Sequence, residues 1–213
     1  MKQIGILGSS TVAQTLAAGF RKHGYEARIS SRTPAQLADF TAASGIAAGT
    51  YSDVAAWGDT LVLAVKGHVA KAVLRQIGES RLEGKVILDA TNPIAEAPPN
   101  HGVLEYFTGP NESLMEELQS AFPSARFVKV FNSVGAARMV NPVFAEGTPT
   151  MFICGNDASA KADVKLVLDQ FGWDTFDAGI ARAARAIEPL AMLWCIPGFM
   201  QNSWTHAFKV VWK

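Results

Sequence analysis

Gly5-Ile6-Leu7-Gly8-Ser9-Ser10-Thr11-Val12-Ala13 decides the reading of this chain. A short apolar run, residues 2–7, has the length of a buried strand and leads into it. A stretch over residues 12–23 leaves it, with Val12, Leu16, Gly19 and Phe20 at helical spacing and Gly24 as the stop. Strand, glycine turn and helix in that order are the setting of the dinucleotide fingerprint GxGxxG/A. Gly8 takes the first position, which makes the tight turn. Ser10 stands at the second, where the backbone approaches a pyrophosphate, and Ala13 takes the third, close-packing one. The start of the helix adds unpaired N–H groups and a positive dipole end. The competing reading is an ordinary Gly/Ser turn with Ser or Thr as helix cap.

One element outward, a second strand over residues 25–30 ends in Ser30-Ser31-Arg32-Thr33. An NAD site usually carries Asp or Glu there for the adenosine ribose. Two hydroxyls and a guanidinium suit a 2′-phosphate instead, so NADP is favoured over NAD. A solvated turn is the alternative, and Thr33 with Pro34 is expected to cap the next helix in either case. Further out, strands are expected at 45–48, 60–65, 85–89, 125–130, 150–154 and 173–176. Helices are expected at 52–57, 69–77, 111–121 and 158–171. The continuous apolar runs are those of parallel strands buried on both faces. This alternation predicts an α/β fold, a Rossmann-like doubly wound parallel sheet. Ligands in such sheets sit beyond the carboxyl ends of the strands. Here those ends are residues 64–68, 89–93 and 131–136, all rich in small, amide and hydroxyl residues.

The 213 residues suit one domain of ordinary size, or one with a small extension. Apolar residues make up 49% and charged ones 18%, which excludes long disorder. Nineteen Lys and Arg balance nineteen Asp and Glu, so no overall basic field draws nucleic acid or anionic lipid. Cys154 and Cys195 make no disulfide framework, and no CxxC or Cys/His cluster suggests a metal. Ser9, Ser10, Thr11 and Gln14 interrupt the apolar N-terminus, and the apolar stretch 189–200 is too short to span a bilayer. A cytoplasmic protein with a small-molecule redox partner is expected.

Beyond the glycine turn, longer stretches carry a resemblance: IGILGSSTVAQTLA (4–17), ISSRTP (29–34), LVLAVKGH (61–68), VILDATNPI (86–94), KVFNSVGA (129–136), NPVF (141–144), PTMFICGND (149–157) and EPLAMLW (188–194). Together they resemble the NADP-dependent oxidoreductase family related to coenzyme F-420:NADP oxidoreductase, in particular its bacterial members described only as dinucleotide-binding enzymes. The N-terminal domain of the STEAP metalloreductases is similar too, but without the tail pattern. The resemblance implies an NADP-binding Rossmann domain, residues 1–135. It also implies a small, mostly helical C-terminal part, residues 136–213, that completes the pocket, usually in a homodimer. Hydride would pass between NADP(H) and a second ring, coenzyme F-420 or a flavin. By matching position, Gly8, Ser9, Ser10, Thr11 and Val12 would hold the diphosphate, and Ser31, Arg32 and Thr33 the 2′-phosphate. Val65 and His68 would lie along the nicotinamide mononucleotide half. Asn92, Pro93, Ser133, Gly135 and Ala136 would border the two rings. Lys66 sits where the family often has proline, as a contact to phosphate or ribose or as a solvated side chain.

Hydride transfer between rings asks little proton chemistry of the protein, so no catalytic triad is needed and none is assigned. His68, after a strand end, is the one weak catalytic candidate. His23 reads as a surface residue, His101 as part of a Pro/Asn/Gly loop, and His206 as lying on a tail helix. Asp89 is expected to accept bonds from neighbouring loop amides, and Glu188 to pair with Arg182 or Arg185. The tail from Ile187 to Trp212 is expected to be mostly helical, broken near Pro197-Gly198, with its apolar residues in the core or a dimer interface. Two rival functions stay open: reduction of a small imine or carbonyl substrate, and non-catalytic NADP(H) binding by a redox sensor.

Overall fold

Six short apolar runs become one parallel sheet: Gln3–Leu7 (β1), Glu26–Ser30 (β2), Ala47–Gly49 (β3), Thr60–Leu63 (β4), Val86–Asp89 (β5) and Arg126–Lys129 (β6). Their order is β3-β2-β1-β4-β5-β6, and every pairing is parallel. The helices between them are Thr11–Lys22 (α1), Ala38–Ser44 (α2), Tyr51–Trp57 (α3), Gly67–Ile77 (α4) and Leu114–Ala121 (α5). This is the doubly wound Rossmann order, with its switch point between β1 and β4. It belongs to a computed structural model that describes residues 2–212. Met1 and Lys213, the outer bounds of the two expected parts, lie outside the described residues.

Every residue of β4 and of β5 is buried, as the continuous apolar runs predict. Successive side chains feed opposite faces. Ile4, Ile6, Val62, Leu88 and Val128 join the core against α1, with Leu16 and Phe20. Leu7, Leu61, Leu63, Ile87 and Phe127 join the core beneath α4 and α5, with Leu74 and Leu118.

After β6 come Thr150–Ile153 (β7), Ala158–Phe171 (α6), Asp174–Asp177 (β8) and Ala184–Gln201 (α7). β7 and β8 pair in parallel as a second, two-stranded sheet. Val164, Val167, Leu168 and Phe171 of α6 pack into the α1-side core of the main sheet. The Lys129 N–H donates to the Cys154 carbonyl at 2.9 Å, which ties the end of β7 to the edge of that sheet.

The tail differs from expectation. α7 runs through Pro197 and Gly198 and ends at Gln201, where Asn202 turns left-handed at φ 53° and donates its N–H to the Pro197 carbonyl. Gly198 packs rather than breaks: Trp204 folds back against it, and a β-carbon there would overlap the indole. Residues 203–212 belong to no helix or strand. The Thr150 N–H donates to the Phe208 carbonyl (2.8 Å), and the Val210 N–H to Thr150 Oγ1 (3.0 Å), so the tail runs beside β7. His206 therefore lies on this non-helical strip, not on a helix. Its carbonyl accepts from Trp194 Nε1 at 2.8 Å. Among the described residues no helix is long and apolar enough to cross a membrane.

Candidate active site

At the carboxyl end of β1 the chain reverses at Gly8, with φ +144°. The Ala64 carbonyl at the end of β4 lies so close that any β-carbon on Gly8 would overlap it. Only glycine satisfies both constraints. Ser10 then caps α1, its Oγ accepting from the Ala13 N–H at 3.4 Å, and Gln14 Nε2 donates to the Ser9 carbonyl at 3.0 Å. The amides of Thr11 and Val12 have no acceptor among the described residues. An anion at the helix start would meet them directly.

A cleft of about 730 Å³ opens over this turn, between the ends of β1 and β4. Gly8, Ser9, Ser10 and Val12 line its middle. Arg32 and Tyr51 line it also, with Lys66, His68, Val69 and Gln76 along the α4 side. Arg32 is exposed and makes no ion pair among the described residues. Burial pushes the Tyr51 hydroxyl up, and the Arg32 charge partly opposes that shift. A second lobe of about 430 Å³ continues over β4 and β5. It shares Val65, Lys66, His68, Ala90 and Glu96 with the first and adds Thr91, Asn92, Ile94, Ala95 and Ala97. His68 Nε2 meets Glu96 Oε1 at 3.3 Å, which ties the start of α4 to the loop on the far side of both lobes.

The structure thus gathers Gly8, Ser9, Ser10, Val12, Arg32, Val65, Lys66, His68 and Asn92 around one continuous opening. Thr11 lies on the first turn of α1 without lining it, though its amide is free. Ser31 is buried, and its Oγ accepts the Thr33 N–H at 3.2 Å. This replaces the expected cap: Thr33 makes no side-chain bond to the helical turn at Pro34–Leu37. Pro93 and Ser133 are buried beside the second lobe's loop rather than lining the lobe. Gly135 and Ala136 are half-buried, and the Trp194 indole lies over Gly135.

Beneath the second lobe lies a charge cluster that local sequence patterns do not show. Lys129 is completely buried at the end of β6, with its Nζ 2.7 Å from Asp89 Oδ2 and 2.8 Å from Glu188 Oε1. Burial alone would push this lysine down, but the two carboxylates outweigh it and hold its pKa above the ordinary value. Glu188 also accepts the Leu114 and Met115 amides, at 3.0 Å each, at the start of α5. The expected pairing of Glu188 with Arg182 or Arg185 is therefore corrected. Glu188 points inward to the lysine, while Arg185, one turn earlier on α7, forms a two-point fork with Glu116 at 2.8 and 2.9 Å. Asp89 accepts the Thr91 N–H as expected. Sequence reasoning also missed Tyr51, which faces the cleft from α3. Tyr51 opens that short helix as one aromatic among apolar residues, and nothing in its sequence distinguishes it from a core residue. Among the described residues no three His, Cys, Asp or Glu side chains are grouped to hold a metal.

The donor set fits a phosphorylated dinucleotide. It offers free amides at the start of α1 and an unpaired guanidinium beyond β2, with no carboxylate at that strand end. Comparison with known proteins agrees. A family model described as NADP oxidoreductase, coenzyme F-420-dependent, matches residues 3–93. Metalloreductase STEAP3 of Rattus norvegicus is 28% identical over 200 residues, 92% of this chain and 38% of that protein. Metalloreductase STEAP2 of Homo sapiens is 27% identical over 192 residues, 89% of this chain and 36% of that protein. The chain spans well under half the length of these two relatives, yet the similarity reaches past the nucleotide-binding half into the tail. Among solved structures, a candidate F-420-dependent NADP reductase from Arthrobacter sp. FB24 matches with a TM-score of 0.91 at 31% identity, covering 99% of each chain. An imine reductase from Bacillus cereus, at 16% identity and a TM-score of 0.65 over 91% of this chain and 58% of that one, shares the fold alone.

Proposed function

This chain belongs to the family of coenzyme F-420-dependent NADP oxidoreductases, and on that premise we propose that it passes hydride between NADP(H) and a deazaflavin, flavin or similar ring. The observation that carries the reading is the single cleft across the switch point, with a free Arg32 at one end and a second lobe at the other. Gly8 to Val12 hold the diphosphate through backbone amides. Arg32, beside Ser31 and Thr33, takes the 2′-phosphate by charge-assisted bonds. Val65, Lys66 and His68 flank the nicotinamide mononucleotide half. Asn92, at the floor of the second lobe, borders both the nicotinamide and the acceptor ring, and the apolar wall at Ile94, Ala95 and Ala97 receives the acceptor's flat face; Pro93, Ser133, Gly135 and Ala136 lie outside the lobe's lining.

Bound NADPH supplies the hydride. The chain's own contribution is to hold two ring faces together and keep water away, which needs no protein acid or base. A two-fold dimer belongs to the same proposal. Leu193 and Met200, 54% and 57% exposed, leave α7 with apolar side chains that its own core does not cover. The test is NADPH oxidation in the presence of F-420, FMN, FAD, ferric chelates and quinones. Turnover with a ring acceptor is the expected result. Turnover with ferric chelate alone would contradict the acceptor assignment.

A further inference from the structure

Ala90, Thr91 and Asn92 form the floor of the second lobe and follow β5 directly. Thr91 is held there by three bonds. Its N–H and hydroxyl donate to Asp89 Oδ1 at 2.9 and 2.6 Å, and its carbonyl accepts from Lys129 Nζ at 2.8 Å. Lys129 has Asp89 and Glu188 as its other partners, and all three side chains are buried. A lysine is almost never this buried unless paired. Two carboxylates to one ammonium leave a net negative charge, which the first amides of α5 offset at Glu188. Apolar residues of the same shape commonly stabilise a core as well as such a cluster does. A buried cluster of this kind is weak ground for stability. The cluster does specify a geometry, and its bonds converge on one residue of the lobe floor.

We propose that Lys129 and Asp89 are positioning residues for the nicotinamide half of the cleft: together they fix Thr91 and the loop to Asn92 at the height at which the ring is seated. Glu188 extends the same cluster to α7, so the C-terminal helix is coupled to the lobe floor through one buried cation. The inference rests on the NADP reading above. It assigns to groups that touch neither cofactor nor substrate a role in how the far half of the cofactor is held.

The test compares two probes. 2′,5′-ADP reaches only the Arg32 and Gly8 end of the cleft; NADPH spans both halves, and its nicotinamide emission reports the seat of the ring. Asp89→Ala is the principal variant, because it leaves Lys129 and Glu188 as a one-to-one pair and so spares the core an unpaired charge. Two lost hydrogen bonds predict an NADPH Kd raised about tenfold, with diminished bound-state emission. The 2′,5′-ADP Kd should stay near that of the wild type. Asp89→Asn keeps an oxygen for the Thr91 amide and should recover most of the NADPH affinity. Lys129→Met, which removes the bond to the Thr91 carbonyl, should shift NADPH in the same direction as Asp89→Ala. NADPH binding and emission unchanged in Asp89→Ala would overturn the inference, as would equal weakening of both probes. A wild-type protein that binds neither probe would overturn the NADP reading and this inference with it.

Discussion

Gly8 and Arg32 show how much one residue can carry here. Gly8 sits at φ +144° against the Ala64 carbonyl, so a side chain meets both a forbidden conformation and a collision. Gly8→Val is expected to abolish dinucleotide binding by calorimetry while the circular dichroism spectrum stays that of an α/β protein; normal NADPH binding would place the diphosphate elsewhere. Arg32 is exposed, so replacing it leaves the fold alone. Charge-assisted bonds to phosphate are worth about 1.5–3 kcal/mol, roughly ten- to a hundredfold. Arg32→Ala should weaken NADPH by that factor and NADH hardly at all, and equal loss for both would remove the 2′-phosphate assignment. The place of both residues at the cleft is legible in the sequence because it is local: one is a glycine between a strand and a helix, the other a cation just beyond a strand end. Lys129 and Glu188 are not legible. Their partners come from distant strands and helices, and nothing near either residue shows that it turns inward.

Periodicity marks the existence of the elements more clearly than their ends. The 150–154 run and the 158–171 helix survive as β7 and α6, whereas the helix expected from residue 111 begins at Leu114. Ser113 explains the later start, since its Oγ accepts the Glu116 amide at 3.2 Å and its hydroxyl donates to the Glu116 carboxylate at 2.7 Å. α7 resisted the sequence for a different reason. Pro197-Gly198 is a breaker in isolation, but packing against Trp204 carries the helix through it. Glu116 also joins α5 to α7. The Arg185 fork, aided by Ser113, holds its carboxyl below the ordinary value of 4.5. The folded state then binds fewer protons than the unfolded one, so this contribution is complete above about 4.5 and fades as pH falls through the folded pKa. Glu116→Gln should therefore flatten that part of the acid limb in urea melts taken from pH 6 to pH 3, two roughly chosen ends of the carboxylate range. An acid limb identical to that of the wild type would show that the fork adds nothing to stability.

At the scale of the whole molecule, a doubly wound parallel sheet with a site beyond the carboxyl ends of its strands is legible in the alternation of runs, whereas the strand order and its switch point are seen only in the fold. The placement of the tail is not legible either, because it depends on contacts with β7 and Trp194 made across the fold. The apolar side chains that α7 leaves exposed predict self-association: light scattering at micromolar concentration should give twice the monomer mass, and a stable monomer would contradict the proposed interface. In the proposed function, the cation beyond β2 gives the cleft its specificity for NADP. Titrating the wild-type protein with NADPH and with NADH by calorimetry tests it most directly. The predicted result is NADPH binding about ten- to a hundredfold tighter than NADH, and equal affinities, or a preference for NADH, would contradict it.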